Sequence, residues 1–186
     1  IIDDNDRMPL FWSGTPLIHY GFNLEASWKN FDIYALLQGA GMYTVQFSEV
    51  YAEVLWSKGA NTPAYFYDRW RKEDPYNPNS KWVAGKWPAT RLIQDTGAMY
   101  KESNIWRRDA SYLRLKTLEL GYTLPDSILR KSGISNIRFY INGYNLLTFC
   151  DSFVKAFDPE KVEGSYSAGM NYPLTKSFNI GFTANF

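Results

Sequence analysis

Among 186 residues there is one cysteine, Cys150, and one histidine, His19. A lone cysteine allows no internal disulfide and no paired-thiol zinc or redox motif, and one His with one Cys assembles no metal centre. Charge of one sign is also missing: 20 Lys and Arg stand against 19 Asp and Glu, a formal net charge of +1. That balance carries no electrostatic footprint for nucleic acid, which is excluded as a partner. No run of 18 apolar residues occurs, which excludes a transmembrane helix but not membrane strands, whose mark in a sequence is far weaker. No signal peptide opens the chain. It begins on an acidic, loop-like IIDDNDR, which predicts the C-terminal piece of something longer.

Aromatic residues are abundant instead, at 18% of the chain, while mean hydropathy stays negative at -0.37. Many rings on a polar average suit a barrel that is greasy outside and wet inside, and also a sugar-binding surface. The pattern of the last eleven residues favours the barrel. Phe178, Ile180, Phe182, Ala184 and Phe186 alternate strictly with Ser177, Asn179, Gly181, Thr183 and Asn185. Soluble domains usually let their termini fray. Here the period of two runs to the last residue and reaches the roughly 9 to 11 residues that a tilted strand needs to cross a bilayer.

The same template fits Ile18, Tyr20, Phe22, Leu24, Ala26 and Trp28, interleaved with His19, Gly21, Asn23, Glu25 and Ser27. After Lys29-Asn30 it resumes through Phe31, Ile33, Ala35 and Leu37. A two-residue loop sets Trp28 opposite Phe31, so both rings share a face. Asn30 is the turn residue that tolerates positive φ, and the two rings are expected in an aromatic girdle at the periplasmic end. Further on, Leu118, Leu120, Tyr122 and Leu124 lie in one phase and Leu113 and Leu115 in the other. A β-bulge near Lys116 and Thr117 reconciles them. Pro125 stops that strand, and residues 126–136 read as a helical turn ended by Gly133. Strands are therefore expected near 18–28, 31–38, 111–124, 137–147 and 176–186.

Between them lie two long loops, 39–110 and 148–175. The first holds Trp56, Trp70, Trp82, Trp87 and Trp106 among the breakers Pro63, Pro75, Pro78 and Pro88, with a short amphipathic helix expected from Phe47, Val50, Tyr51, Val54 and Leu55. Barrels place their longest loops outside the cell. Short and long connections alternate as an up-and-down topology requires, and five strands do not close a barrel alone.

No catalytic set emerges. His19 falls on the polar side of its strand, with no nucleophile and orienting acid suggested beside it. Asp158, Glu160 and Glu163 imitate a glycosidase acid pair, but such enzymes hold two carboxyls at a set separation across a cleft, and a mobile acidic loop is the ordinary explanation. No cofactor is implied. Trp56, Tyr65, Tyr67, Trp70, Trp82 and Trp87 are candidate contacts to cargo or to a lid protein, since amphipathic rings favour interfaces. Most loop rings are nonetheless expected in a small core that keeps the loop ordered.

The ordered set Asp109 to Pro125 (DASYLRLKTLELGYTLP), Asn145 to Phe149 (NLLTF), Asp158-Pro159-Glu160, Tyr172 to Lys176 (YPLTK) and the terminal FNIGFTANF resembles the C-terminal end of the SusC/RagA family of TonB-dependent outer-membrane transporters. IDDNDR, Tyr20-Gly21-Phe22, Phe31-Asp32 and Gln38-Gly39 resemble the same family further upstream. The resemblance implies an all-β fold, the last five antiparallel strands of a transmembrane β-barrel of about 22 strands. The plug domain and TonB box lie outside this chain. It implies a multi-pass protein of the cell outer membrane, in contact with its lipid, that imports oligosaccharides or peptides. The implied partners are the rest of the barrel and plug, a SusD-like lipoprotein lid and the TonB complex. Phe178, Phe182 and Phe186 take the role of a barrel-insertion signal by the same resemblance. Asp3 and Asp6 are read as a solvated acidic loop rather than the tail of a calcium loop, which needs more ligands. The rival fold is a soluble carbohydrate-binding β-sandwich, which predicts apolar faces packed sheet on sheet.

Overall fold

The computed structural model describes residues 5, 9, 12–47, 61–89, 103–130, 133–161 and 171–186. Its main body is one five-stranded antiparallel sheet. β1 (Ile18–Trp28) and β2 (Phe31–Gly41) form a hairpin. β3 (Thr44–Gln46), β4 (Arg71–Lys72), β5 (Trp82–Val83) and β6 (Arg107–Asp109) are short pieces within the following excursion. β7 (Tyr112–Thr123), β8 (Asn136–Phe149) and β9 (Ser177–Asn185) complete the sheet in the order β1-β2-β7-β8-β9. Each strand thus pairs with its predecessor in the meander. The two excursions leave from one rim of the sheet, and the tight turn at 29–30 lies at the other.

At that turn the positive φ falls on Lys29, at 56°, and not on Asn30. Asn30 does different work. Its side-chain amide donates to the Thr123 carbonyl at 2.8 Å, and its own carbonyl accepts from the Thr123 N–H, so it ties the hairpin end to β7. Across the sheet the register shifts at Lys116, which has no Cα partner in β2 or β8. Leu115 pairs with Leu147 and Thr117 with Tyr144, leaving Asn145 and Leu146 opposite the extra residue. Asn145 takes positive φ there. The bulge returns Leu113 and Leu115 to the face of Leu118 and Leu120, which is why the leucine phase changes along β7.

A short helix, α1 (Asp126–Leu129), follows Pro125 at the turn rim. At the loop rim α2 (Ser152–Lys155) is capped by the Asp151 carboxylate, which accepts from the Phe153 and Val154 N–H groups. Two buried clusters organise this rim. One joins Ala40, Tyr43, Val45, Phe47, Ala110, Tyr112 and Val154; the other joins Phe66, Trp87 and Trp106. Phe153 packs against both and links them. Among the described residues the remaining strands form only two-stranded pieces, β3 with β6 and β4 with β5, where a sandwich calls for a second large sheet. The helix expected from Phe47, Val50, Tyr51, Val54 and Leu55 lies outside the described residues beyond Phe47, as do Asp3, Asp6 and Glu163. Phe47 is buried, and its N–H donates to the Trp106 carbonyl.

Candidate functional site

Strand register turns the alternation of each segment into rows that run across all five strands. The row nearest the turn is Trp28, Phe31, Tyr122, Phe139 and Phe182, one ring from every strand. Phe31 and Tyr122 stand 4.7 Å apart between ring centres, and the Lys29 ammonium lies over the Trp28 ring. The next row is purely aliphatic: Ala26, Ile33, Leu120, Ile141 and Ile180. Leu24, Ala35, Leu118, Gly143 and Phe178 follow. Beyond the bulge come Phe22, Leu37, Leu115 and Leu147, then Tyr20, Gly39, Leu113 and Phe149. This face is not covered by other described residues, and Ile180 is 87% exposed. From the ring row to Tyr20 is eight residues, about 27 Å of strand, or about 20 Å in height once a barrel tilt of 35–45° is applied. That is close to the band of about 25 Å on outer-membrane barrels.

Glycines let rings and charges lie flat on their neighbours. Tyr20 crosses Gly39 and donates its hydroxyl to the Tyr112 carbonyl at 2.6 Å, and a Cβ on Gly39 would collide with both.

The opposite face is mainly polar, and its middle is internally paired. Arg138 binds both Asp32 and Glu119, the latter at 2.8 Å. Glu119 accepts from the Asn142 amide at 3.1 Å, and Asn142 accepts from Asn179 at 2.9 Å. This chain of contacts links β2, β7, β8 and β9, with Gly121 leaving room for the Arg138–Asp32 pair. His19 lies exposed near the loop rim, opposite Ala40.

Higher on that face Arg114 and Lys116 meet the loop after α2. Arg114 binds Asp158 at 2.6 Å and Glu160 at 2.7 Å, and Lys116 binds Glu160 at 2.6 Å. Side chains of Arg114 and Asp158 are each 4% exposed. Asp158 takes positive φ and also accepts from the Glu160 and Leu174 N–H groups. Thr148 accepts from Arg114 Nε, and Tyr43 donates to the Pro159 carbonyl. Burial is the main cause that holds the Tyr43 hydroxyl well above its ordinary pKa. Asp158 and Glu160 are therefore neither a mobile loop nor an acid pair across a cleft: both are committed to cations of the strand wall. Sequence reasoning missed this latch. Its one sequence clue was a charged residue, Arg114, set in the polar phase between Leu113 and Leu115.

The candidate contact rings divide. Trp87 is 4% exposed, stacked on Trp106 at 5.5 Å and packed by Tyr65 and Phe153, so it belongs to the core, as does half-buried Tyr65. Tyr67, Trp70 and Trp82 are exposed. Trp56 lies outside the described residues. Phe178, Phe182 and Phe186 are all exposed on or beyond the terminal strand.

One apolar face in continuous rows, one polar face paired within itself and one ordered loop rim define a wall section of a large transmembrane β-barrel. Comparison with known proteins gives its kind. Two TonB-dependent receptors of Formosa agariphila are similar to it, one 32% identical over 183 residues and one 29% identical over 202. These matches take in 92% and 100% of this chain but 16% and 18% of the receptors, so the chain spans under a fifth of their length. The RagAB peptide importer in its open-open state matches with a TM-score of 0.69 at 25% identity, over 100% of this chain and 19% of that one. In its closed-closed state it matches with 0.70 at 26%, over 98% and 18%. No protein-family model matches. The chain is a section of a β-barrel of the TonB-dependent receptor kind, similar over its whole length to the RagAB importer.

Proposed function

We propose that this chain forms part of the wall and outer loops of an active importer, embedded in the outer membrane and driven through TonB. It takes up oligosaccharides or peptides beneath a SusD-like lipoprotein lid. The observation that carries the reading is the set of apolar rows crossing the sheet, three of them through all five strands, exposed on one side only. Such a face suits acyl chains, with the ring row at the headgroup level. Polar side chains on the other face then line the lumen. The loop rim faces outward, since outer-membrane barrels keep short turns toward the periplasm. Peptide is the cargo of the similar RagAB importer, which supports the peptide arm of the proposal.

The full-length transporter with its lid tests this. Reconstituted in an outer membrane with a functional TonB system, it is expected to accumulate labelled oligosaccharides or peptides, and to stop when the proton gradient is collapsed. Uptake that persists without the gradient would reject active import.

A further inference from the structure

The β4–β5 ribbon is built for contact rather than for packing. Arg71 pairs with Val83 and Lys72 with Trp82, so Lys72 and Trp82 share one face, and Trp70, two residues before Lys72, joins them there. Trp70 is 46% and Trp82 56% exposed, and Tyr76, in the turn beyond, is 94% exposed. The base of the ribbon is fixed. The Trp70 N–H donates to the Trp87 carbonyl at 2.8 Å, the Trp87 N–H donates to Asp68, and the Trp87 ring lies in the aromatic cluster under the rim. Exposed rings on an immobile base are the composition of protein-binding hot spots.

Charge narrows the partner. Residues 68–87 contain Arg69, Arg71, Lys72, Lys81 and Lys86 against Asp68, Glu73 and Asp74, five cations to three carboxylates. The Lys72 ammonium is held 4.6 Å over the Trp82 ring and donates to the Ser80 carbonyl at 2.7 Å. It covers one face of the ring and fixes a positive charge beside it.

We infer that the Trp70–Lys72–Trp82 face of this ribbon docks an acidic patch of the lid lipoprotein, an assignment that rests on the lid-covered importer proposed above. The ribbon leaves the sheet at the loop rim, the side that a lid over the outer mouth would face. Rings supply the buried area of the contact, and the cations steer the approach and set its salt dependence.

The purified complex of the full-length transporter with its lid tests the inference. A photo-crosslinking residue at position 76 is expected to join the two proteins in the intact complex. The variants Trp70→Ala/Trp82→Ala and Lys72→Glu are each expected to weaken lid affinity at least tenfold, and Lys72→Glu also to flatten its salt dependence. Heat-dependent gel mobility of each variant checks that the barrel still assembles. Lid affinity within twofold of wild type in both variants, with no crosslink from position 76, would overturn the assignment. Loss of cargo uptake with lid binding intact would overturn it in favour of a cargo site. A wild-type transporter that binds no lid at all would instead remove the underlying reading.

Discussion

Arg114 is the side chain whose loss is expected to cost most. Truncating one partner of a buried pair strands the other charge, so Arg114→Met is expected to destabilise the loop rim by about 3–5 kcal/mol. Asp158→Asn is expected to be nearly as severe, because three donors converge on that carboxylate. Limited proteolysis of the folded protein reads the effect as new cuts near 150–161. Equal protease resistance in wild type and Arg114→Met would show that the latch does not hold the loop. Tyr43 adds a pH dependence of the same region. Its folded-state pKa is raised, so its neutral form is favoured and its contribution is fully present below about 10, the ordinary tyrosine value. That contribution is lost as pH rises above 10. Cleavage at the rim should therefore increase above pH 10 in wild type and do so less steeply in Tyr43→Phe. Neither Arg114 nor Tyr43 showed its role in the sequence, since their partners at positions 158–160 are found only when the chain folds.

At the level of the strand, the facing of each residue follows from parity, but its depth does not. Phe182 alternates as cleanly as Phe178, yet register puts Phe182 in the ring row by the turn and Phe178 two rows deeper. A lipid-facing Arg costs about 2–4 kcal/mol at the bilayer midplane and about 0–1 near the interfaces. Leu118→Arg and Phe178→Arg are thus expected to impair assembly strongly, Phe182→Arg less, and Asn23→Arg on the polar face least. Folding yields into lipid vesicles, read by heat-dependent gel mobility, give the ranking. Equal yields from Leu118→Arg and Asn23→Arg would contradict the assignment of faces. The bulge at Lys116 was legible because leucines changed phase around it, whereas β3 to β6 are too short to leave any period. On the polar face, Gly121→Ala is expected to push apart Arg138 and Asp32, where a Cβ finds no room, and to lower the thermal midpoint of the barrel.

For the molecule as a whole, five strands leave the outer edges of β1 and β9 without partners among the described residues. Unpaired backbone groups in hydrocarbon cost several kcal/mol each, so these edges require neighbouring strands of the same barrel. The isolated segment is accordingly expected to need detergent and to lack heat-dependent mobility, while the full-length transporter shows it. A soluble, monodisperse segment with native strand content would argue against an open wall section.

The sequence by itself determined which side of each strand is apolar, because side chains alternate by backbone geometry whatever the strand pairs with. It also determined that β1 lies beside β2 and β7 beside β8, because those short connections leave room only for a neighbour. Tertiary structure decided the rest. Which apolar residues stand level in a row, which loop rings are buried and which carboxylates face Arg114 depend on contacts between segments far apart in the chain. Those contacts are set by register and packing, and no local period records them.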